Sequence, residues 1–495
     1  MTVEEYRTLI DALDDEISDL LLKRFDYCRK IGLEKARIRA DVQVKQRENE
    51  ILERLCRGKT LNEAECVKSV YGEIFNQSKA LQNKVVGNDK LKACLIGTTI
   101  GHSLSPKIHS YFGTDYCLET LKKDGLKDFY NERNYDYFNV TMPFKEEIIG
   151  YLDYIDESAK SIGSVNTVVT KNGKKSGYNT DIDGLRYLFT SNGVEINGKK
   201  VMILGTGGTS KTAMALVESE GGSFVLVGRS EKVNYENYYM HGDAEILINA
   251  TPVGTDGKTL PLDLDRLPNL KFVADVCYYP LKTPLVRQCE KRKIKAEGGL
   301  KMLVYQALKA EEIRQNKSFE KYFKSAYEYT LYGYKNIALI GMPSCGKTTV
   351  GRLLANKLGM DFIDVDEEIE KQSGLSPEKT IETKGEDFFR NVESEIIADV
   401  SLKTGAVIAC GGGSVLKEQN VENLKRNGTV CYLTRSLDKL EADNRPLTKK
   451  YGVQKLYEER KGLYEGSCDF IVANDGDLSD TLKTAVYEYE KNLGN

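Results

Sequence analysis

Residues 337–348, which read IALIGMPSCGKT, set the fold of the C-terminal third of this chain. A short apolar run, residues 337–340, leads into a glycine-bounded loop that ends in Lys347 and Thr348 and continues as a helical pattern. A loop of this kind between a strand and a helix binds nucleotide phosphates, because its backbone amides point at the phosphate oxygens. The stretch therefore predicts an α/β domain that binds ATP.

A second glycine-rich turn, residues 205–210 (GTGGTS), follows the strand-like run at residues 201–204. It lies too far upstream to bind the same phosphates, so we expect two nucleotide sites. The next strand-like run leads to Arg229, where a fold specific for NAD usually has an acidic residue, whereas arginine suits a 2′-phosphate. The cofactor should therefore be NADP(H). The residues expected to bind it are Gly205, Gly207, Gly208, Thr209, Ser210, Gly228, Arg229 and Ser230.

Length and composition bound the function independently of the motifs. A chain of 495 residues has room for about three domains, and a net charge of −3 with scattered Lys and Arg does not suggest a nucleic-acid partner. The eleven cysteines show neither a C-x-x-C pair nor metal-type spacing, which fits a reducing cytoplasm. There is no apolar secretory segment, and no run approaches the ~18 apolar residues that cross a membrane. We expect a cytoplasmic enzyme of small molecules, with no membrane partner.

Changes in sequence pattern divide the chain into three parts. Residues 2–84 show almost only helical periodicity, interrupted at Gly58, and predict an all-α domain of three helices. From about residue 91, β-rich runs alternate with helical stretches, and a helical stretch separates this α/β unit from the next. The predicted domains are residues 1–86, residues 90–332 and residues 335–495. Within the second, we expect a substrate lobe at about 90–185 that also includes the C-terminal helices, and a Rossmann-type NADP lobe at about 190–298.

Cationic residues in the helical part point to an anionic ligand. Arg24 and Lys35 are eleven residues apart, which is ~1,100° of helical rotation and about 16 Å of rise, so they share nearly one face. Arg7 lies seventeen residues before Arg24, about 25 Å away on another face. Arg7 can therefore reach the same small ligand only from a second copy of the chain.

The order and spacing of seven residues in this part resemble the all-helical chorismate mutases. The resemblance implies an intertwined homodimer that rearranges chorismate to prephenate by positioning and preorganised electrostatics, without nucleophile or metal. It implies that Lys35 and Gln82 donate to the ether oxygen, and that Arg24 and Arg7 of the partner subunit bind the carboxylates. Val44 departs from the family, which often has a polar residue there. The seven residues are Arg7, Arg24, Lys35, Arg47, Glu48, Ser78 and Gln82.

Several motifs in the middle part resemble the shikimate dehydrogenases. The resemblance implies two α/β lobes, reduction of 3-dehydroshikimate to shikimate with NADPH, and C-terminal helices that bring Gln306 back to the upstream motifs; quinate stays open as a further substrate. The motifs are residues 101–106 (GHSLSP), 139–145 (NVTMPFK), 164–167 (SVNT), 179–181 (NTD) and 299–306 (GLKMLVYQ).

Reduction of a ring ketone requires a proton for the developing alkoxide. A lysine paired with a carboxylate supplies that proton from a fixed position, and Lys145 with Asp181 is the expected pair. The resemblance implies that Ser103 and Ser105 bind the substrate carboxylate. It also implies that the ring hydroxyls are bound by Thr141, Asn166, Asp181 and Gln306.

The C-terminal part resembles the shikimate kinases beyond its phosphate-binding loop. The resemblance implies a P-loop kinase that transfers a phosphoryl group from ATP to shikimate, giving shikimate 3-phosphate, with Mg²⁺. A gluconate-type kinase is the nearest alternative, but it would not require this arginine set. The motifs are residues 364–366 (DVD), 389–390 (FR), 407–413 (VIACGGG), 445–447 (RPL) and 459–464 (ERKGLY).

Roles in the kinase part follow from loop chemistry and from the resemblance. The loop predicts that Lys347 reaches the β- and γ-phosphates and that the Thr348 hydroxyl binds Mg²⁺. The resemblance implies that Asp364 assists the metal through water and that Asp366 deprotonates the acceptor hydroxyl. It implies that Arg390 and Arg460 bind the carboxylate, since planar guanidinium groups match carboxylates, and that Gly411, Gly412 and Gly413 approach the ring. The expected nucleotide-binding residues are Gly341, Ser344, Gly346, Lys347, Thr348, Thr349 and the lid residue Arg445.

Together the resemblances predict a trifunctional enzyme of aromatic amino-acid biosynthesis. Two alternatives stay open. The helical part is either a mutase or a dimerising module that senses chorismate or an end product with little turnover, which would leave a bifunctional dehydrogenase–kinase. A regulated scaffold of that kind would show reciprocal coupling between ligands. The lid stretch, residues 445–460, is shorter than is usual for the kinases.

Overall fold

A computed structural model describes residues 2–38, 45–86, 93–133, 135–440 and 452–494. The chain divides into two compact units, Met1–Lys92 and Ala93–Asn495. No helix in the described residues is long and apolar enough to cross a membrane.

The N-terminal unit consists of helices, which confirms the predicted all-α fold. Thr60 caps the third helix, because its backbone amide donates to the Glu63 carboxylate at 2.9 Å while the Glu63 amide donates back to the Thr60 hydroxyl at 3.4 Å. Phe75 and Cys28 are the buried apolar residues of the described part of this unit. The helices are α1 (Val3–Ile38), α2 (Lys45–Cys56) and α3 (Leu61–Val86).

The second unit begins with a mixed sheet of strand order β2-β1-β3-β5-β6-β4. Its fifth strand begins at Thr167, two residues after the start of the β-rich run at Val165 in the sequence, because the Val165 amide donates to the Lys145 carbonyl at 2.8 Å in the preceding loop. The strands are β1 (Ala93–Gly97), β2 (Tyr116–Thr120), β3 (Tyr137–Val140), β4 (Tyr154–Ile155), β5 (Thr167–Lys171) and β6 (Lys174–Tyr178). The helices are α4 (Ser105–Tyr111), α5 (Leu126–Glu132), α6 (Glu157–Ile162) and α7 (Asp181–Thr190).

A parallel sheet of order β11-β10-β9-β7-β8 follows and confirms the predicted Rossmann-type lobe. Strands β8 and β9 lie on opposite sides of β7, which creates the crevice where such folds bind nucleotides. The strands are β7 (Lys200–Leu204), β8 (Ser223–Val227), β9 (Ile246–Asn249), β10 (Phe272–Asp275) and β11 (Lys295–Glu297). The helices are α8 (Gly208–Ser219), α9 (Pro284–Lys291), α10 (Leu300–Gln315) and α11 (Phe323–Leu331).

A third sheet, parallel and of order β13-β14-β12-β15-β16, carries the phosphate-binding loop and confirms the predicted α/β kinase fold. The strands are β12 (Asn336–Ile340), β13 (Asp361–Asp364), β14 (Ala406–Ala409), β15 (Gly428–Thr434) and β16 (Phe470–Ala473). The helices are α12 (Lys347–Leu358), α13 (Val365–Ser373), α14 (Pro377–Lys384), α15 (Glu386–Val400), α16 (Glu418–Leu424), α17 (Val453–Ser467) and α18 (Leu478–Lys491).

The third sheet shares its hydrophobic core with the rest of the second unit. One cluster of buried side chains includes Ile108 of α4, Val304 of α10 and Ile337 of β12. Backbone hydrogen bonds reinforce this junction, since the Lys282 amide donates to the Arg426 carbonyl at 2.9 Å. The third sheet is therefore packed against the two lobes rather than tethered to them.

Candidate active sites

In the N-terminal unit, Arg24 of α1 contacts α3. Its guanidinium group donates a hydrogen bond to the Ser78 hydroxyl and lies 5.8 Å from the centre of the Phe75 ring. Ser78 is buried and donates in turn to the Ile74 carbonyl at 2.5 Å. The structure thus brings together two of the seven residues that the sequence selects for this ligand.

The other predicted residues of this unit are placed in part. Arg7 is exposed on the same continuous helix as Arg24, so the separation of about 25 Å along the axis stands. Glu48 is half-buried on α2. Three further residues lie on α1, α2 and α3 with side chains outside the described part of the structure, and Val44 lies outside the described residues. The three are Lys35, Arg47 and Gln82.

An ammonium–carboxylate pair lies at the edge of the first sheet. Lys145 Nζ donates to Asp181 Oδ2 at 2.6 Å, and the two side chains are only 12% and 10% exposed. Asn166 Nδ2 donates to the other carboxylate oxygen at 2.9 Å and to Gln306 Oε1 at 3.2 Å. Both oxygens of Asp181 are therefore held, which fixes the direction in which Lys145 presents its ammonium group.

These residues converge because the chain returns three times to one place. Lys145 follows β3, Asn166 precedes β5, Asp181 opens α7, and Gln306 lies in the middle of α10. A cavity of about 890 Å³ opens here, lined by Lys145, Asp181, Gln306 and further residues including Ser103, Thr141 and Thr209. That volume lies in the range typical of small-molecule sites.

The predicted carboxylate-binding serines lie together at this cavity. The Ser103 hydroxyl donates to the Ser105 hydroxyl at 3.1 Å and accepts from the Ser105 amide at 3.2 Å. Ser103 lines the cavity, and Ser105 is buried in the first turn of α4. Two neutral hydroxyl groups are thus available to an anionic ligand.

The turn after β7 fits a dinucleotide. Gly207 caps α8, whose free amides and dipole attract phosphate. Gly205 has φ +103°, and an added Cβ at Gly228 would lie 2.6 Å from the Thr206 side chain, so glycine is required at both positions. Ser210 is buried with a hydroxyl that has no hydrogen-bond partner in the described residues. At the end of β8, the neighbouring residues Arg229 and Ser230 are exposed.

The loop before α12 has the geometry of a phosphate site. Gly341 and Gly346 have φ values of +145° and +97°, and Ser344 also adopts a positive φ of 65°. Lys347 is buried and donates to the Gly341 carbonyl at 3.0 Å and to the Met342 carbonyl at 2.9 Å. Its ammonium group therefore lies across the loop that the backbone amides form. Thr349 follows on the exposed side of α12.

Oxygen donors next to this loop fit a magnesium ion. The Thr348 hydroxyl donates to Asp364 Oδ2 at 2.7 Å, so both lie within reach of one ion. Mg²⁺ takes few protein ligands and completes its shell with phosphates and water. No group of three or more His, Cys, Asp or Glu that could hold a metal ion is found among the described residues. Arg445 lies outside the described residues.

A second cavity, of about 280 Å³, lies beside the phosphate loop. It is lined by a carboxylate, two arginines and three consecutive glycines, all selected from the sequence for the acceptor site. Arg460 donates to the Gly412 carbonyl at 3.0 Å, and an added Cβ at Gly413 would overlap the Arg390 guanidinium group. The predicted residues at this cavity are Asp366, Arg390, Gly411, Gly412, Gly413 and Arg460.

Glu393 and Tyr278 are among the cavity residues that were not predicted from the sequence. Glu393 is buried one helical turn after Arg390 and accepts its Nη1 at 2.7 Å; burial opposes the charge on Arg390, but Glu393 and Glu386 raise the pKa of the guanidinium group overall. Tyr278 lines the larger cavity, where burial raises its pKa and a hydrogen bond with Ser103 acts in the opposite direction. Glu393 could have been selected from the sequence because it lies three residues after Arg390 on a helix. Tyr278 could have been selected because it follows the carboxyl end of β10, where such folds bind ligands.

Three family models match the chain at separate places. The model described as chorismate mutase type II matches residues 6–83. The model of the shikimate dehydrogenase substrate binding domain matches residues 95–168. The shikimate kinase model matches residues 343–489.

The middle of the chain is also similar to individual proteins. The NADP(+) shikimate dehydrogenase of Staphylococcus epidermidis is 36% identical over 254 residues, covering 46% of this chain and 92% of that protein. The crystal structure of shikimate dehydrogenase 1 from Peptoclostridium difficile is 30% identical with a TM-score of 0.45 and covers 48% of this chain and 98% of that one. The structure of a chorismate mutase/shikimate 5-dehydrogenase fusion protein from Clostridium acetobutylicum is 27% identical, with a TM-score of 0.45 and coverage of 49% and 96%.

Proposed function

This chain belongs to the shikimate dehydrogenase family, carries chorismate mutase and shikimate kinase domains at its two ends, and we propose that each domain catalyses its reaction at the site described above. The enzyme is trifunctional. It rearranges chorismate to prephenate, reduces 3-dehydroshikimate to shikimate with NADPH, and phosphorylates shikimate with ATP. The contact between Lys145 and Asp181, with Asn166 and Gln306 around it, is the observation that carries the central assignment.

In the dehydrogenase site, the chain's residues orient the substrate and supply the proton. NADPH, when bound at the turn before α8, provides the hydride. Lys145 gives a proton from Nζ to the oxygen of the reduced carbonyl group, while Asp181 holds the ammonium group in place. Ser103 and Ser105 bind the carboxylate, and Asn166 with Gln306 binds the ring hydroxyls.

In the kinase site, the two arginines anchor the acceptor and Asp366 activates it. Arg390 and Arg460 line the same cavity as Asp366. When the two guanidinium groups hold the substrate carboxylate, a ring hydroxyl therefore faces the Asp366 carboxylate. Asp366 accepts the hydroxyl proton, and Lys347 stabilises charge on the transferred phosphoryl group. Thr348 and, through water, Asp364 would hold the magnesium ion that accompanies ATP. These residues position the acceptor for in-line attack.

In the mutase site, Arg24 is the best-placed cation of the described residues. Its hydrogen bond to Ser78 and its position over Phe75 hold the guanidinium group at a defined place between α1 and α3. A fixed cation of this kind stabilises a carboxylate of chorismate in its compact conformer. The remaining contacts come from Lys35, Gln82 and a second subunit.

The mutase domain acts as a homodimer through α1. Every described residue from 2 to 20 is exposed, including large apolar residues that recur at intervals of three and four. Most of the stability of a helix in a protein comes from packing of its apolar face, and a regular apolar seam of period 3.5 is typical of helix pairing. A second copy is the fitting occupant, because it would bring the exposed Arg7 to another subunit's Arg24. The exposed apolar residues that follow this spacing are Val3, Tyr6, Ile10, Leu13, Ile17, Leu20, Tyr27 and Ile31, and Leu9 and Leu22 are exposed as well.

The assignment of all three activities is tested with the purified full chain. The protein is incubated with 3-dehydroshikimate, NADPH and Mg-ATP, and separately with chorismate, and the products are separated by liquid chromatography. We expect shikimate, shikimate 3-phosphate and prephenate. The variants Lys145→Ala, Asp366→Asn and Arg24→Ala should each abolish one reaction and leave the other two reactions measurable with their own substrates. A variant that still carries out its matching reaction at the wild-type rate would contradict the site assigned to that reaction. We place the enzyme in the cytoplasm, with domain borders near residues 86 and 335.

A further inference from the structure

The wall of the dehydrogenase cavity is completed by the kinase domain. Beside the residues of the two lobes, Tyr334, Leu402, Lys403 and Thr404 line the same cavity of about 890 Å³. The last three lie in the loop between α15 and β14 of the kinase sheet. A shikimate dehydrogenase site in this chain is therefore built from parts of two catalytic domains.

Hydrogen bonds from the dehydrogenase and from the kinase sheet hold the backbone of this loop. The Tyr279 hydroxyl donates to the Leu402 carbonyl at 2.6 Å, and Asn336 Nδ2 donates to the Lys403 carbonyl at 2.6 Å. The Gly405 amide donates to the Tyr334 carbonyl at 2.7 Å. Hydrogen bonds from both domains therefore fix the backbone position of Lys403.

A chain of tyrosines connects the loop to the carboxylate-binding serines. Tyr334 lies beside both Tyr278 and Thr404, and Tyr278 lies beside Ser103. Thr404 is the neighbour of Lys403 in the chain. The loop therefore meets the cavity at the end where Ser103 is expected to hold the substrate carboxylate.

The site residues described so far offer no unpaired positive charge to an anionic substrate at this end of the cavity. The serines are neutral, and the ammonium group of Lys145 is already paired with Asp181. Lys403 is exposed, and no carboxylate of the described chain forms an ion pair with it. A bound carboxylate would thus find in Lys403 a positive charge without an internal partner.

We propose that Lys403 of the kinase domain is a substrate-binding residue of the dehydrogenase, where its ammonium group attracts the carboxylate of 3-dehydroshikimate. The proposal rests on the dehydrogenase function given above and deepens it. Because the Lys403 ammonium group interacts with the carboxylate and not with the reacting carbonyl group, it stabilises the bound substrate and the transition state equally. Its removal should therefore raise KM and leave kcat nearly unchanged.

A charge series in the full chain tests this. Lys403→Arg should retain the wild-type KM, Lys403→Ala should raise it about three- to fivefold, and Lys403→Glu should raise it about tenfold or more, with the differences shrinking at high salt. Lys357→Ala removes an exposed lysine of the same domain outside both cavities, and its KM should match that of the wild type.

The methyl ester of 3-dehydroshikimate separates charge from structure. The ester has no negative charge, so its KM should be the same in the wild type, Lys403→Ala and Lys403→Glu. Equal KM values for the acid across the charge series, or an equal rise for acid and ester, would overturn the proposal. A wild-type protein that fails to reduce 3-dehydroshikimate would instead contradict the dehydrogenase function. Kinase activity, measured on shikimate with each variant, should not change.

Discussion

Replacing Lys145 by alanine should slow the turnover of the dehydrogenase by about 10²- to 10⁴-fold, the range for a positioned proton donor. At 1.36 kcal/mol for each factor of ten, the activation free energy rises by about 2.7–5.4 kcal/mol. The structure supports the full range, because Nζ lies 2.6 Å from Asp181 Oδ2 and the two side chains are only 12% and 10% exposed.

The cost to folding is smaller and can be measured separately. In the Lys145→Ala protein, Asp181 keeps the hydrogen bond from Asn166 at 2.9 Å, so the free energy of unfolding should fall by about 1–3 kcal/mol. Asp181→Asn removes the partner charge but leaves the lysine. The double variant should lose little more activity than Lys145→Ala alone, because two groups that act as a unit are not additive.

The assay follows NADPH absorbance with saturating 3-dehydroshikimate, and kinase turnover in the same preparation reports on folding. Lys211→Ala is the matched control, because Lys211 forms an ion pair with Glu146 at 2.7 Å next to the site but is 36% exposed. Its turnover should stay within about twofold of the wild type, as expected for a surface pair. Retention of more than about a tenth of the wild-type turnover in Lys145→Ala would refute the proton-donor role.

Four further predictions concern the other sites and the stability of the chain. Asp366→Asn should abolish shikimate phosphorylation while ATP binding, measured by calorimetry, is unchanged; retained turnover would contradict its role as base. Arg229→Ala should raise the KM for NADPH about 10- to 100-fold and leave that for NADH nearly unaltered, since only NADPH carries the 2′-phosphate; an equal effect on both would place the phosphate elsewhere. Leu13→Asp should convert the dimer to a monomer in analytical ultracentrifugation and remove mutase activity alone, because it places a charge in the exposed apolar seam of α1; an active monomer would exclude the shared site. Burial opposes ionisation of Glu311, but His109 and Arg314 lower its pKa overall from 4.5 to about 2. The stabilisation that ionised Glu311 gives is therefore present above pH 4.5 and is lost as the pH falls toward 2. Glu311→Gln should weaken the dependence of the free energy of unfolding on acidic pH, measured by urea unfolding, and an unchanged slope of that free energy against pH would contradict the prediction.

Local sequence was sufficient where neighbouring residues carry both the fold and the chemistry. The apolar run before Gly341 became β12, and Lys347 and Thr348 opened α12, because strand, loop and helix are consecutive and the phosphate site is made from their backbone. The same holds for β7 and the glycines before α8. Here the pattern of apolar residues and glycines predicts the geometry directly, since a positive φ strongly favours glycine.

The meeting of distant groups depends instead on packing, which no local pattern encodes. Asn166 and Gln306 are 140 positions apart and touch only because α10 returns to the first sheet. Their approach could be expected from a family resemblance but not from spacing. The family offers no such expectation for Lys403, because it comes from a different domain. Its place in the dehydrogenase cavity follows from the hydrophobic core that the kinase sheet shares with both lobes. The chain order thus specifies each element and its chemistry, whereas burial of apolar surface between elements selects which side chains share a cavity.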